Sequence, residues 1–156
     1  MIYVEKIAKR VSCVSVKLVK EGGFLYKDRV CNTSLSAYDL FAEIIEDKPD
    51  EHLIVACLNA KSEPVNVSIL SIGSVTEAQV FARSVIRNAL LSNSTSVIIA
   101  HNHPSGDPTP SKQDVNFTKE IKQACDYMRI RFFDHLIIGS SGKFISLREQ
   151  REEIFI

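Results

Sequence analysis

Apolar residues recur along the chain with three distinct rhythms: every second position, every third to fourth, and in short uninterrupted runs. Residues 11–20, VSCVSVKLVK, alternate and predict a strand. Glu21-Gly22-Gly23 ends it, and FLYKDRV can return as a partner strand. From Ser36 to Asp47 the period lengthens. Ala37, Leu40, Phe41, Ile44 and Ile45 fall on one helical face, Ser36 and Asp39 have capping-box spacing, and Pro49 closes the element. HLIVACL at 52–58 reads as a buried strand, and Asn59 to Glu63 turns it into a second strand over 65–72. A further capping box, Ser74 and Glu77, opens a helix with Ala78, Phe81, Val85 and Ala89 on one side. SVIIA at 96–100 is a short central strand, followed by a proline-rich loop. A third helix from Ser111 to about Met128 turns Phe117, Ile121, Ala124 and Met128 inward. RFFDHLIIG and KFISL are two more strands, and the tail REQREEIFI is either helical or frayed.

Strands alternating with helices define an α/β class, and the hairpin at 52–72 makes the sheet mixed. With 156 residues the chain fits one domain. It divides into an N-terminal extension of strands (1–35), a main domain (36–150) and a tail (151–156). Nineteen basic residues balance nineteen acidic ones, so the net charge of zero gives no electrostatic case for a nucleic-acid or membrane partner. No apolar run is long enough to cross a bilayer, and the first residues lack the order of a signal peptide. Cys13, Cys31, Cys57 and Cys125 show no regular spacing, which fits a reduced, cytoplasmic protein.

The chemistry concentrates in HNHPSGDPTPSKQD, residues 101–114, a pattern H-x-H-x7-S-x2-D. Residues i and i+2 of an extended segment point the same way, so His101 and His103 can aim both imidazoles at one point. Pro104 turns the chain off the sheet. Asp114 falls in the first turn of the next helix, where the helix dipole favours a carboxylate. Two imidazoles and a carboxylate suit zinc and leave a fourth tetrahedral position for water. The same residues admit a plainer account, because Ser111 and Asp114 form a capping box by themselves. Spacing alone leaves both open. Asp134-His135 could orient a ligand from behind, but local packing of His135 in its strand is the favoured reading. Ser105 and Asp107 read as turn chemistry. The three letters HNH do not make an HNH nuclease, and the H-x-E and P-C-x-x-C of zinc deaminases are absent.

H-x-H-x7-S-x2-D resembles the signature of the JAMM (MPN+) metalloproteases. HNHPSGDPTPS together with DHLIIG resembles the RadC branch of that family. The resemblance implies a deaminase-like α/β/α sandwich and one zinc ion held by His101, His103 and Asp114. It also implies that Ser111 steadies a tetrahedral intermediate, and that an upstream glutamate before an apolar strand acts on the metal-activated water. Glu51, immediately before HLIVACL, has that placement; Glu63 and Glu77 are the alternatives. The implied activity is zinc-dependent cleavage of peptide or isopeptide bonds in a peptide or protein substrate. RadC proteins carry a helix–hairpin–helix module that finds no counterpart ahead of Glu51, so strong direct DNA binding is not expected. A different class of function also fits: a non-catalytic accessory domain in DNA repair that keeps the zinc site.

Overall fold

The computed structural model describes residues 10–73 and 78–156. A five-stranded sheet forms its middle layer: β1 (His52–Leu58), β2 (Pro64–Ile72), β3 (Ser96–Asn102), β4 (Arg131–Ile138) and β5 (Phe144–Ser146), in the order β2-β1-β3-β4-β5. β3 pairs parallel to β4; the other three pairings are antiparallel. Strand residues alternate between two apolar cores. Ile54, Ala56, Leu58, Ile98, Ala100, Leu136 and Ile138 pack with Ala37, Leu40, Phe41 and Ile45 of α1 (Ser34–Ile45). Leu53, Val55, Cys57, Val97 and Ile99 pack with Val85 and Ala89 of α2 (Ala78–Leu91) and with Phe117, Ile121 and Cys125 of α3 (Lys112–Tyr127). The result is an α/β/α sandwich around a mixed sheet, as the sequence leads one to expect.

Several boundaries differ from the sequence reading. Residues 10–30 form no strand; most of the segment is exposed, with Val11, Val14, Val16 and Val19 facing solvent. Alternation makes a segment eligible for a sheet, but a ladder partner decides, and none pairs with it among the described residues. α1 starts earlier than predicted because the reciprocal cap is Thr33 with Ser36, not Ser36 with Asp39. Thr33 Oγ1 accepts from the Ser36 N–H, and Ser36 Oγ accepts from the Thr33 N–H, both at 3.0 Å. Cys125 takes the inward position predicted for Met128, which is exposed past the end of α3. The proposed Ser74–Glu77 cap lies outside the described residues. The tail is not frayed: a short helix α4 (Leu147–Gln150) and a single 3-10 turn, Glu152–Ile154, bring Phe155 against the Phe132 ring at 5.3 Å between centroids. All four cysteines are free thiols, and only Cys13 is exposed.

Asp134 is buried on the α1 side of the sheet. Its carboxylate accepts from the Ser146 hydroxyl at 2.6 Å and from the backbone N–H groups of His135 and Arg148 at 2.7 and 3.0 Å. It fastens the junction of β5 and α4 and takes no part in the metal centre. Burial pushes its carboxyl up to about 6, against the pull of these three donors. The folded chain therefore holds this proton more tightly than the unfolded chain. Its stabilising effect is complete below about pH 4 and is lost as pH rises through about 6. Urea unfolding of wild type and Asp134→Asn at a series of pH values should show the difference in stability changing by roughly 3 kcal/mol across that window. A flat difference would rule out the buried proton.

Candidate metal centre

β3 extends two residues beyond SVIIA, through His101 and Asn102. The pleat sends the His101 ring to the α3 side, and His103 follows two positions later. His101 Nε2 lies 3.0 Å from His103 Nε2 and 3.2 Å from Asp114 Oδ1; His103 Nε2 lies 3.6 Å from Asp114 Oδ2. A tetrahedral zinc with ligands at about 2.0–2.1 Å would set its ligand atoms roughly 3.3–3.4 Å apart. The three side chains thus form a cluster that can hold a metal ion, with donor chemistry and spacing that fit zinc.

Each histidine is oriented from behind. His103 Nδ1 donates to the Asp107 carbonyl at 2.7 Å, leaving Nε2 to face the cluster. The Asp107 side chain does turn chemistry, as predicted, accepting from Thr109 N–H and Oγ1 at 2.9 and 2.6 Å. Behind His101 stands His135, fully buried, with its Nε2 2.8 Å from His101 Nδ1 and its Nδ1 2.7 Å from Thr118 Oγ1. The favoured expectation for His135, local packing, is therefore corrected: it touches a candidate ligand. Burial, with His101 adding, holds its ring neutral, well below the usual histidine value.

The two readings of Asp114 turn out to be compatible. Ser111 caps α3: its backbone N–H and hydroxyl both donate to Asp114 Oδ2 at 2.7 Å, and its Oγ accepts from the Asp114 N–H at 3.1 Å. The cap uses Oδ2, which leaves Oδ1 turned toward His101. Burial alone would raise the Asp114 carboxyl, but the imidazoles of His101 and His103 beside it hold it far below the usual carboxylate range. His103 moves the other way. The Asp114 carboxylate beside it raises it against the effect of burial, and the Asp107 carbonyl adds to the rise.

Glu51 joins the site through strand direction. β1 runs antiparallel to β3 with Leu53 opposite His101, so the start of β1 lies at the histidine end of the sheet. There Glu51 lines a pocket of about 120 Å³ together with His101, His103, Ser111, Gln113, Asp114 and Phe117. Burial raises its carboxyl above the ordinary range, with His101 opposing and Asp114 adding. Asn102, pointing away from the histidines, pins the segment that carries Glu51. Its Oδ1 accepts from the His52 N–H at 2.7 Å, and its Nδ2 donates to the Lys48 and Asp50 carbonyls at 3.2 and 3.1 Å. The Glu51 carbonyl accepts from the Gly73 N–H at 2.8 Å. Glu63 is elsewhere, at the hairpin tip, bonded to Arg29 and Asn59 at 2.8 and 2.9 Å. Glu77 lies outside the described residues.

Three contributors escaped the sequence reading: Thr118, Asn102 and the backbone carbonyl of Asp107. The first two carry one shared signal, a polar side chain where the pattern demands an apolar one. Thr118 lies on the buried face of α3, and Asn102 is wholly enclosed at the end of a strand otherwise buried throughout.

An α/β/α sandwich with a His-His-Asp cluster at the end of its central strand defines a JAB-type domain, the metallohydrolase fold of the JAMM family. Residues 31–152 match the RadC-like JAB domain, and the chain belongs to that family. It is 50% identical over 101 residues to a UPF0758 protein of Clostridium novyi (strain NT), a match covering 65% of this chain and 44% of that protein. It is 40% identical over 114 residues to a UPF0758 protein of Carboxydothermus hydrogenoformans, covering 73% and 50%. A UPF0758 protein of Methanosarcina barkeri is 36% identical over 124 residues, covering 80% and 53%. The chain thus spans about half the length of the curated relatives it matches. Among the described residues, no helix is long and apolar enough to cross a membrane.

Proposed function

We propose that this domain is a zinc-dependent hydrolase of peptide or isopeptide bonds, with Glu51 as its general base. The supporting observation is that one small pocket holds both the His101, His103 and Asp114 cluster, its ligand atoms 3.0–3.6 Å apart, and a half-buried carboxylate, Glu51, that forms no part of it. Bound zinc would supply Lewis-acid chemistry and lower the pKa of water from about 15.7 toward about 7. Glu51 would take the water's proton and pass it to the leaving amine; its raised pKa brings it closer to the poise such a base needs. Ser111 would donate to the oxyanion, an interaction typically worth about 3–4 kcal/mol. In this structure its hydroxyl is committed to Asp114 Oδ2, so that role requires the hydroxyl to rotate away. The peptide-like substrate rests on the family resemblance. The test is zinc content of the purified protein, paired with cleavage of a peptide library with and without chelator. Zinc-loaded protein that cleaves nothing would sink the hydrolase.

The commitment of Ser111 to its cap favours a second reading, an accessory domain in which zinc is a structural clip. In either case the isolated chain should bind duplex DNA only weakly and without sequence preference, since its charges sum to zero. Nanomolar binding by fluorescence anisotropy at physiological salt would overturn that expectation.

A further inference from the structure

We infer that Thr118 and His135 are positioning residues that lock the tautomer of His101 and aim its Nε2 lone pair at the metal. The inference rests on the metal reading of the His101, His103 and Asp114 cluster. It follows from the direction in which each hydrogen bond must run.

One end of the chain is fixed. The Thr118 hydroxyl lies 2.6 Å from the backbone carbonyl of Asp114, which can only accept. Thr118 has one hydroxyl proton, and that bond uses it. The 2.7 Å contact between Thr118 Oγ1 and His135 Nδ1 must then be a donation from the ring, so His135 carries its proton on Nδ1. A neutral imidazole protonated on Nδ1 has a bare Nε2. The 2.8 Å contact from His135 Nε2 to His101 Nδ1 therefore requires His101 to be the donor. His101, protonated on Nδ1, presents an unprotonated Nε2 to His103 and Asp114.

With a cation against His101 Nε2, reversing any one bond of the chain sets two protons or two lone pairs against each other; without one, the bare Nε2 atoms of His101 and His103 would face each other at 3.0 Å. The chain also closes on itself. It starts at the carbonyl of Asp114, one candidate ligand, and ends at His101, another. Both middle members are fully buried, so water cannot replace a missing partner without opening the core. Phe117 packs edge-on against the His135 ring at 5.7 Å between centroids. His103 needs no such relay, because the Asp107 carbonyl fixes its proton directly.

The experiment uses the full chain with Thr118→Val, Thr118→Ser and His135→Phe. Zinc affinity is measured by competition with a chromophoric chelator. Histidine tautomers in zinc-loaded protein are read from two-bond nitrogen–proton correlations at mildly alkaline pH. Loss of a hydrogen-bond partner behind a metal ligand typically weakens metal binding about 10–100-fold. Thr118→Val should fall near about 10-fold, at the low end of that range, and His135→Phe at about 10-fold or more. Thr118→Ser, which keeps the hydroxyl, should bind as wild type does. In wild type, His101 and His135 should both carry the proton on Nδ1; Thr118→Val should lose that single pattern, and Thr118→Ser should keep it. Because valine is isosteric with threonine, Thr118→Val tests the relay even where His135→Phe fails to fold. Wild-type affinity and unchanged tautomers in Thr118→Val would overturn the relay. Absence of zinc, cobalt or manganese binding by wild type would instead overturn the metal reading.

Discussion

Replacing His103 by alanine should abolish stoichiometric zinc. Wild-type protein should carry roughly one zinc per chain, and the variant should lose more than the 10–100-fold in affinity typical of removing a mere partner of a ligand. His103 suits this test better than His101. It stands on the loop after β3, partly exposed and outside both apolar cores, whereas His101 is enclosed within the sheet and bonded to His135. His103→Ala therefore removes a donor without opening the core. Far-ultraviolet circular dichroism should be unchanged. The two remaining donors, His101 Nε2 and Asp114 Oδ1, stay 3.2 Å apart, and two donors do not complete a catalytic zinc site. Equal zinc loading of wild type and variant by metal analysis would show that the cluster is not the ligand set.

Glu51→Gln should do the opposite: keep zinc and lose hydrolysis. The glutamine fills the same volume at the start of β1, and nothing in the pinning of that segment by Asn102 and Gly73 involves the Glu51 side chain. The cluster of His101, His103 and Asp114 is untouched. Glutamine cannot take a proton at neutral pH, so the rate on a cleaved peptide should fall by about 10²–10⁴-fold, the usual range for a general base. Zinc content and initial rate must be read on the same preparation. Wild-type turnover in Glu51→Gln would remove it from the mechanism, and Glu63, tied to Arg29 at the hairpin tip, could not replace it without rebuilding that tip.

What was legible in the sequence was local. The hairpin, the three main helices and the cores they face follow from periodicity alone, because burial on a sheet or helix imposes that period. The candidate ligands were legible because they are near neighbours in the chain, their directions set by one strand end and one helix start. The extension at 10–30 misled because alternation says nothing about whether a partner strand exists. His135 misled for a related reason. Within RFFDHLIIG it looks like one polar residue to be satisfied nearby, and its true partners come from β3 and α3. Asn102 was hidden between two more conspicuous histidines, although the pleat that aligns them must turn it toward the Glu51 segment. Contacts between elements are where pattern reading stops, since only the assembled sheet fixes which residue stands opposite which.

The antiparallel pairing of β1 with β3 also sets an order of assembly. The three candidate metal ligands come from one strand–loop–helix unit, so in the proposed reading an ion would be captured by that unit once it has formed. Glu51 reaches the same place only when β1 has zipped onto β3 in register, Leu53 against His101. A slip of one residue would turn every β1 side chain to the wrong layer. If the proposed function holds, a half-folded chain, or one newly emerged from the ribosome, would carry metal without being able to cleave anything. For a domain proposed to cut proteins, the final step of its own folding acts as the safety catch.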